Sequence, residues 1–294
     1  MKKLIAIVGT NASGKSGLGV RLAKKFAGEI VSADSRQVFK GLDLGSGKIA
    51  PEEMQSVRHH LLDVCEPNDF YSMADFQKQA YQAIDDIHMR GYQPFLVGGT
   101  GLYVASVTEG YLLSDKMPNL QYRDELEKLT TPELYQMLIS VMPDIEIDRY
   151  NRNRVMRMLE KIESGDTEPA GREKRYDTLK IGVSWERETL KERIDERLER
   201  RLKAGMIDEV RHLIKNGATT EFLMKLGLEY RYITQYLIGE FASENEMTEA
   251  LSLAIKKFAK RQMTWFRRDP EIHWLDMTKD PFEEACALIA DFLK

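Results

Sequence analysis

The segment Gly9-Thr10-Asn11-Ala12-Ser13-Gly14-Lys15-Ser16 decides which fold we expect. An apolar run, residues 4–8, precedes it, and a helical pattern of apolar residues follows over residues 18–26. This order of strand, G-x-x-x-x-G-K-S and helix is the context of a phosphate-binding loop, whose backbone N–H groups and lysine surround an anion. Ser16 stands where such loops ligate Mg²⁺. The segment therefore predicts an α/β protein with a P-loop NTPase-like parallel sheet flanked by helices, which binds a diphosphate or triphosphate.

The bulk properties of the chain are those of a water-soluble globular protein. Its 294 residues are 43% hydrophobic and 31% charged, and the formal net charge is −4. Two cysteines, Cys65 and Cys286, are too few for a disulfide framework or a zinc site. No apolar stretch approaches the length of a membrane span, and the run at residues 4–8 is too short for a signal peptide. We expect a cytoplasmic protein without a membrane partner.

Asp34 follows the second predicted strand, Glu29–Ser32, on the edge of the sheet where parallel α/β proteins bind ligands. From its chemistry alone this carboxylate has three open roles. It could ligate a metal ion, accept a proton as a general base, or cap the next helix.

A second glycine-rich turn, Gly98-Gly99-Thr100-Gly101-Leu102-Tyr103, follows the predicted strand Pro94–Val97. The repeated order of strand, turn and helix predicts that both glycine turns open onto one crevice. Thr100 would then reach a phosphate oxygen or a reacting group. An ATP hydrolase usually has an aspartate at the end of such a strand to hold Mg²⁺, so this ending argues against an ordinary ATPase.

Residues 112–177 have the pattern of a small helical insertion, between core segments 1–111 and 178–294. The predicted helix at residues 148–162 carries several arginines, which form either a solvated face or a contact with a polyanion. The adjacent His59 and His60 do not form a natural metal chelate, so we expect them to have a structural or substrate-positioning role.

Two long helices complete the core. Residues 185–206 predict one helix, on which Arg193 and Arg197 are candidates to face a phosphate. Residues 250–267 predict a basic helix whose lysines and arginines alternate with Trp265 and Phe266. This alternation suits stacking on single-stranded nucleic acid, or else the aromatic rings belong to the core.

Taken together, these motifs resemble the tRNA dimethylallyltransferase (tRNA isopentenyl transferase) family. The matching segments keep their family order through nearly the whole chain. They are residues 9–16, 32–38, 41–45, 59–63, 97–103, 153–160 and 259–267. The chain departs from the family at Met224–Arg231, where the family commonly has Ile-Gly-Tyr-Lys-Glu, and its insertion is shorter than usual.

The resemblance implies transfer of a dimethylallyl group from dimethylallyl diphosphate to the exocyclic amine of adenosine 37. That adenosine lies in the anticodon loop of tRNAs reading codons that start with U. The phosphate loop would hold the diphosphate leaving group instead of ATP, which removes the need for the missing aspartate. Two alternatives keep the loop but change the reaction: an adenylate isopentenyltransferase and a P-loop small-molecule kinase. A non-catalytic RNA-binding protein is a third alternative.

The resemblance also implies roles for individual residues. Asp34, Thr100 and Arg197 would be catalytic, and Mg²⁺ would bind at Ser16. The diphosphate would bind Gly9, Thr10, Asn11, Ala12, Ser13, Gly14, Lys15 and Ser16. The tRNA would contact Asp34, Ser35, Arg36, Gln37, Arg123, Asn153, Arg154, Arg157, Lys260, Arg261, Gln262, Thr264, Trp265 and Arg267. We expect a monomer that binds tRNA and dimethylallyl diphosphate.

Overall fold

A computed structural model of the chain describes residues 1–114, 119–166 and 171–294. In this part of the chain a sheet of parallel strands is flanked by helices, as the phosphate loop predicts. The strands are β1 (Lys2–Gly9), β2 (Gly28–Ser32), β3 (His59–His60), β4 (Gln93–Gly98), β5 (Tyr176–Ser184) and β6 (Ile272–Asp276). Their order across the sheet is β3-β2-β4-β1-β5-β6, and the paired strands are parallel.

Helices cover both faces of the sheet and also form the insertion. They are α1 (Lys15–Lys25), α2 (Met73–Met89), α3 (Gly101–Thr108), α4 (Leu120–Glu127), α5 (Thr131–Val141), α6 (Arg152–Glu163), α7 (Arg187–Lys203), α8 (Met206–Lys215), α9 (Thr220–Leu226), α10 (Leu228–Leu237), α11 (Glu244–Phe266) and α12 (Phe282–Leu293). None of the helices among the described residues combines the length and the apolar character that a bilayer crossing needs.

Alternation along β1 divides its side chains between the two faces of the sheet. Leu4 and Val8 pack into a cluster with residues of α2 and α3, whereas Ile5 and Ile7 pack with residues of α1 and α12. All four side chains are almost fully buried. Because β1 has neighbours on both sides and helices on both faces, its carboxyl end at the phosphate loop is held firmly.

The predicted elements of the core are present, with three differences. The helix predicted over residues 185–206 is α7, which is shorter because it ends at Lys203, and Gly205, with a φ of 97°, separates it from α8. The last long helix begins at Glu244 because the Ser243 hydroxyl accepts a hydrogen bond from the N–H of Glu246. The third difference is the short strand β3, which the sequence analysis missed.

Chain contacts divide the protein into two compact units. One unit comprises Met1–Gly110 and Glu173–Lys294, and the other comprises Tyr111–Arg172. Residues 173–177 therefore belong with the sheet and not with the predicted insertion, since β5 already begins at Tyr176.

The smaller unit has its own apolar core. Its buried side chains are Leu126, Leu134, Leu138, Val155, Met156 and Leu159. The predicted helix at residues 148–162 begins four residues later, at Arg152, because the side chain of Asn151 caps its first turn. The Arg152 guanidinium donates to the carbonyl oxygens of Leu129 and Glu127, at 2.5 and 2.9 Å, so this arginine holds the end of α4.

Candidate active site

The phosphate loop runs from the end of β1 to the start of α1. Gly14 has a φ of 86° and precedes the first helical residue, a conformation that favours glycine. Ala12 also has a positive φ, of 59°. The Nζ of Lys15 donates to the carbonyl oxygen of Thr10 at 3.1 Å, so the lysine lies across the mouth of the loop. This is the curl that the sequence predicts, and a curl of this kind can surround an anion with backbone N–H groups.

Two side chains hold the loop's carbonyl groups from outside. The Nε1 of Trp185 donates to the carbonyl oxygen of Ser13 at 2.9 Å. The Nε of Arg193 donates to the neighbouring carbonyl of Ala12 at 3.1 Å. Arg193 therefore supports the loop backbone, whereas the sequence analysis considered it only as a phosphate ligand. The role of Trp185 was missed, because a single tryptophan before a helix carries no spacing signal.

Ser13 contributes a buried hydroxyl without a protein partner in the described part of the chain. The residue is 1% exposed and lines the cavity beside the loop. Buried hydroxyl groups are almost always hydrogen-bonded in folded proteins, so an oxygen of a bound anion is the partner that would satisfy it.

Asp34 and Thr100 lie side by side at the ends of the neighbouring strands β2 and β4. The Asp34 carboxylate accepts a hydrogen bond from the N–H of Arg36 at 2.9 Å. The hydroxyl of Thr100 accepts one from the N–H of Ser35 at 3.1 Å. No helix follows Asp34, so the carboxylate closes a turn instead of capping a helix. The hydrogen bond from Arg36 fixes one oxygen of the Asp34 carboxylate. Asp34 also lines both of the cavities at this edge of the sheet.

The site concentrates positive charge. Burial and the nearby Arg197 lower the pKa of Lys15 from 10.5 to about 8. Burial and Arg201 lower the pKa of Arg197 from 12.5 to about 10. Arg201 lies 3.4 Å from the carboxylate of Glu229, which offsets part of this charge. Buried cations with depressed pKa values are common at functional sites.

Two cavities meet at these residues. The loop cavity, about 280 Å³, is lined by residues 11–17, Gly47 and Arg193. The helix cavity, about 340 Å³, is lined by residues of α7, α10 and α11, including Phe258. Asn11, Ala12, Asp34, Ser46 and Arg197 line both cavities. The two cavities thus adjoin at Asp34 and Arg197.

The segment at residues 43–47 borders both cavities and is anchored by Glu209. The Glu209 carboxylate accepts hydrogen bonds from the N–H groups of Asp43, Leu44 and Gly45, at 3.1, 2.6 and 3.0 Å. The hydroxyl of Tyr230 donates to the same carboxylate at 2.9 Å. No sequence pattern points to this role of Glu209, because a glutamate among other charged residues of a helix looks like a surface residue.

Gly47, in the anchored segment, contacts Gln37 and Arg197 directly. Its carbonyl oxygen accepts hydrogen bonds from the Nε2 of Gln37 at 3.2 Å and from the guanidinium of Arg197 at 3.4 Å. The backbone lies so close to the arginines that a Cβ at Gly47 would come within 1.4 Å of Arg201. The φ of 63° at Gly47 also favours glycine.

A family model described as IPP transferase matches residues 37–269, and one described as isopentenyl transferase matches residues 2–68. The chain belongs to the IPP transferase family. Its similarity to relatives named tRNA dimethylallyltransferase extends over nearly its whole length. It is 42% identical to tRNA dimethylallyltransferase 2 of Shewanella sediminis, over 98% of both chains. It is 43% identical to tRNA dimethylallyltransferase 2 of Syntrophotalea carbinolica, over 95% of this chain and 96% of the relative.

Solved structures share the fold of this IPP transferase family member. A tRNA isopentenylpyrophosphate transferase from Bacillus halodurans matches with a TM-score of 0.76 at 37% identity, covering 100% of this chain and 96% of the other. A eukaryotic dimethylallyltransferase acting on tRNA matches with a TM-score of 0.81 at 26% identity, covering 100% of this chain and 80% of the other. The P-loop-like parallel fold and the family resemblance predicted from the sequence are thus confirmed.

The residues predicted to contact tRNA in the larger unit of this IPP transferase line the two cavities or lie on the surface of α11. Gln37 lines the loop cavity. Ser35 and Arg36 line the helix cavity, where the Arg36 guanidinium donates to the Ser35 hydroxyl at 2.8 Å. A basic groove of about 740 Å³ on α11 and α10 contains Lys260, Arg261, Thr264 and Trp265, together with Lys257 and Arg268. Arg267 is exposed at the end of α11. The aromatic Trp265 is partly exposed here, whereas Phe266 belongs to the core.

In the smaller unit of the IPP transferase, the predicted tRNA contacts are surface groups of α4 and α6. Asn153, Arg154 and Arg157 are exposed. Arg157 and Arg123 form ion pairs with Glu160, at 3.2 and 3.4 Å. Because the Glu160 side chain is only 3% exposed, these arginines compensate a buried charge. Their contact with tRNA stays a prediction.

Proposed function

We propose that this chain transfers a dimethylallyl group from dimethylallyl diphosphate to the exocyclic amine of adenosine 37 in tRNA. One observation supports this proposal most strongly: the cavity at the glycine-rich loop and a second cavity share Asp34 and Arg197. The relatives named tRNA dimethylallyltransferase support the choice of both substrates.

The diphosphate would occupy the loop cavity. Its oxygens would accept hydrogen bonds from the backbone N–H groups of the loop and from the hydroxyl of Ser13. As the C–O bond of the donor breaks, negative charge accumulates on the departing diphosphate. Lys15 and Arg197 would stabilise that charge, and fixed cations in a site with little water do so more effectively than solvent.

The adenine would enter the helix cavity after leaving its stack in the anticodon loop. The amine nitrogen attacks the allylic carbon, and the new N–C bond replaces the broken C–O bond. The amine loses a proton, which Asp34 would accept as general base. The Arg36 N–H already holds one Asp34 oxygen at 2.9 Å, which orients the carboxylate for this role. Thr100 would hold the reacting centre.

The residues present fit a Mg²⁺ ion held mainly by the diphosphate. Ser16 lines the loop cavity, and among the described residues no cluster of three His, Cys, Asp or Glu side chains forms a metal cage. Mg²⁺ in phosphate sites typically keeps waters and few protein ligands. Ser16 would supply one hydroxyl ligand, and a bound Mg²⁺ would add positive charge beside the leaving group.

The tRNA itself would lie on the basic surfaces of both units. Lys260, Arg261 and Trp265 in the basic groove combine cations with an aromatic face, which suits an unpaired strand. Arg154 and Arg157 on α6 would contact the tRNA backbone. We further propose that the protein acts as a monomer in the cytoplasm.

One experiment tests the proposed reaction. The full chain is incubated with Mg²⁺, radiolabelled dimethylallyl diphosphate and unmodified tRNA, and the tRNA is then digested to nucleosides. We expect label in a prenylated adenosine from position 37. Label on AMP offered in place of tRNA would indicate an adenylate isopentenyltransferase. Phosphate transfer from ATP to a metabolite, without prenyl transfer, would indicate a kinase.

A further inference from the structure

Gln262 connects the two glycine turns of the site. Its Oε1 accepts a hydrogen bond from the N–H of Asn11 in the phosphate loop at 3.0 Å. Its Nε2 donates to the carbonyl oxygen of Gly99, beside Thr100, at 2.9 Å. A single side chain thus joins the loop that would hold the diphosphate to the turn that would hold the reacting centre.

The chemistry of this bridge requires a carboxamide. One end must accept from an N–H group and the other must donate to a carbonyl, and the amide of glutamine does both. A glutamate would place a carboxylate oxygen next to the carbonyl oxygen of Gly99. Both atoms are acceptors, so this hydrogen bond would be lost. A methionine of similar size would leave both backbone groups without this partner.

Gln262 belongs to the buried side of α11. It shares a stripe with Ile255, Ala259 and Phe266, at the 3.6-residue spacing of one helix face. The residue is 7% exposed, whereas its neighbours Lys260 and Arg261 are exposed. A Cβ at Gly99 would come within 2.9 Å of Nε2, so the turn also fits closely around the amide.

We propose that Gln262 is a positioning residue that fixes the phosphate loop relative to Thr100, and not a tRNA contact. Its bridge sets the separation between the donor's diphosphate and the acceptor amine. This inference rests on the proposed function. A misplacement of about 1 Å at a reacting centre costs roughly a hundredfold in rate, so loss of the bridge should lower kcat without affecting tRNA capture.

The test compares Gln262→Met with a matched control, Gln77→Met, in the full chain. Gln77 is also buried, and its Nε2 donates to the carbonyl oxygen of Ser106 at 2.7 Å, away from both cavities. Four quantities are measured for each protein: the Tm, the Kd of inorganic pyrophosphate, the Kd of tRNA, and kcat with both substrates saturating.

We expect both variants to lose a similar amount of Tm, while only Gln262→Met lowers kcat, by about tenfold to a hundredfold. The pyrophosphate Kd of this variant should rise. Its tRNA Kd should stay within about twofold of the wild-type value, which is less than the change expected if one hydrogen bond to tRNA were lost. Gln262→Glu should bind pyrophosphate better than Gln262→Met, since it still accepts from Asn11, but should also have a low kcat.

A raised tRNA Kd with unchanged kcat and pyrophosphate Kd would overturn the inference and make Gln262 a tRNA contact. A kcat equal to that of wild type would also overturn it. Failure of the proposed function looks different, because the wild-type protein would then transfer no prenyl group. The pyrophosphate Kd of Gln262→Met still tests the bridge in that case, and an unchanged value would reject it.

Discussion

The guanidinium of Arg193 stacks on the ring of Trp185, with its Cζ 4.3 Å from the ring centroid. The same two side chains hold adjacent carbonyl groups of the phosphate loop, those of Ala12 and Ser13. Each partner therefore orients the other. Because the carbonyls are turned outward, the loop's curvature is set before any anion binds, which lowers the cost of ordering it on binding.

Trp185→Phe should weaken diphosphate binding without destroying the fold. Phenylalanine retains a ring for Arg193 but lacks the N–H that reaches Ser13. Loss of one such hydrogen bond costs about 1 kcal/mol, so the Kd of pyrophosphate should rise roughly fivefold. Titration calorimetry measures this directly. Lys191→Ala, a change of a partly exposed residue on α7, is the control. An unchanged Kd for Trp185→Phe would reject the supporting role.

Asp34→Asn should separate catalysis from binding. The amide oxygen of asparagine still accepts from the Arg36 N–H, so the turn is kept, but the side chain no longer takes up a proton. General-base catalysis contributes about a hundredfold to ten-thousandfold, and single-turnover transfer should slow by that factor. The tRNA Kd, measured by filter binding, should be unchanged. Wild-type rates in this variant would exclude Asp34 as the base.

The affinity for pyrophosphate should fall as the pH rises through 8. The pKa of Lys15 is lowered to about 8, so the charged form predominates below that pH and is lost above it. A bound polyanion favours the charged lysine, and binding above pH 8 therefore requires proton uptake. With one titrating group of pKa about 8, the charged fraction falls from about one half at pH 8 to about one eleventh at pH 9. The Kd should therefore rise about fivefold over this range, beyond the ligand's own titration.

The variant Lys15→Arg isolates this effect. A guanidinium stays charged throughout the range, so only the titration of pyrophosphate itself remains. The ratio of the two Kd values at each pH then reports Lys15. Calorimetry in buffers of different ionisation enthalpy should detect proton uptake by the wild type at pH 9 and less by the variant. Parallel pH profiles for both proteins would contradict the lowered pKa.

The sequence predicts the parts of this molecule that depend on local pattern. The curl at Gly14 and Lys15 follows from a motif, and Asp34 and Thr100 follow from their places after predicted strands. The carboxyl ends of neighbouring parallel strands meet, so these residues were expected to converge. The structure brings these residues together, since the N–H of Ser35, after β2, donates to the hydroxyl of Thr100, after β4.

The supports of the site were not predictable in this way. Glu209 and Trp185 act on segments about 165 and 172 residues earlier in the chain, through backbone groups. Every residue has a backbone carbonyl, and nearly every residue has a backbone N–H. The residue type at the contacted position therefore gives no sign that a distant side chain binds there. Gln262 had one usable signal, its place in the stripe with Ala259 and Phe266. The lysines and arginines around it favoured a nucleic-acid contact instead.

Binding of tRNA should depend on salt through the basic groove. If Lys260 and Arg268 each neutralise a phosphate, their joint replacement by alanine should reduce the slope of log K against log salt. The expected reduction is about 0.7 per lost contact on a single strand. Filter binding from low to moderate salt gives the slope. Lys203→Ala, on an exposed side chain of α7, should not alter it. An unaltered slope in the double variant would remove the groove from the tRNA interface.

Glu209→Gln should destabilise the segment between the two cavities. The carboxylate serves three backbone N–H groups and the Tyr230 hydroxyl, and a carboxamide replaces one accepting oxygen with a donor. Each buried group left without a partner costs about 1–3 kcal/mol, which corresponds to a Tm lower by several degrees. Asp208→Asn, an exposed neighbour paired with Arg211, should leave the Tm nearly unchanged.

The same variant should also weaken pyrophosphate binding, which a loss of stability alone does not predict. Gly47 holds the guanidinium of Arg197, and a displaced segment would release that cation from the loop cavity. Measured well below the Tm, the Kd of pyrophosphate should rise several-fold for Glu209→Gln and stay at the wild-type value for Asp208→Asn. A lower Tm with unchanged affinity would mean that Glu209 stabilises the fold without positioning Arg197.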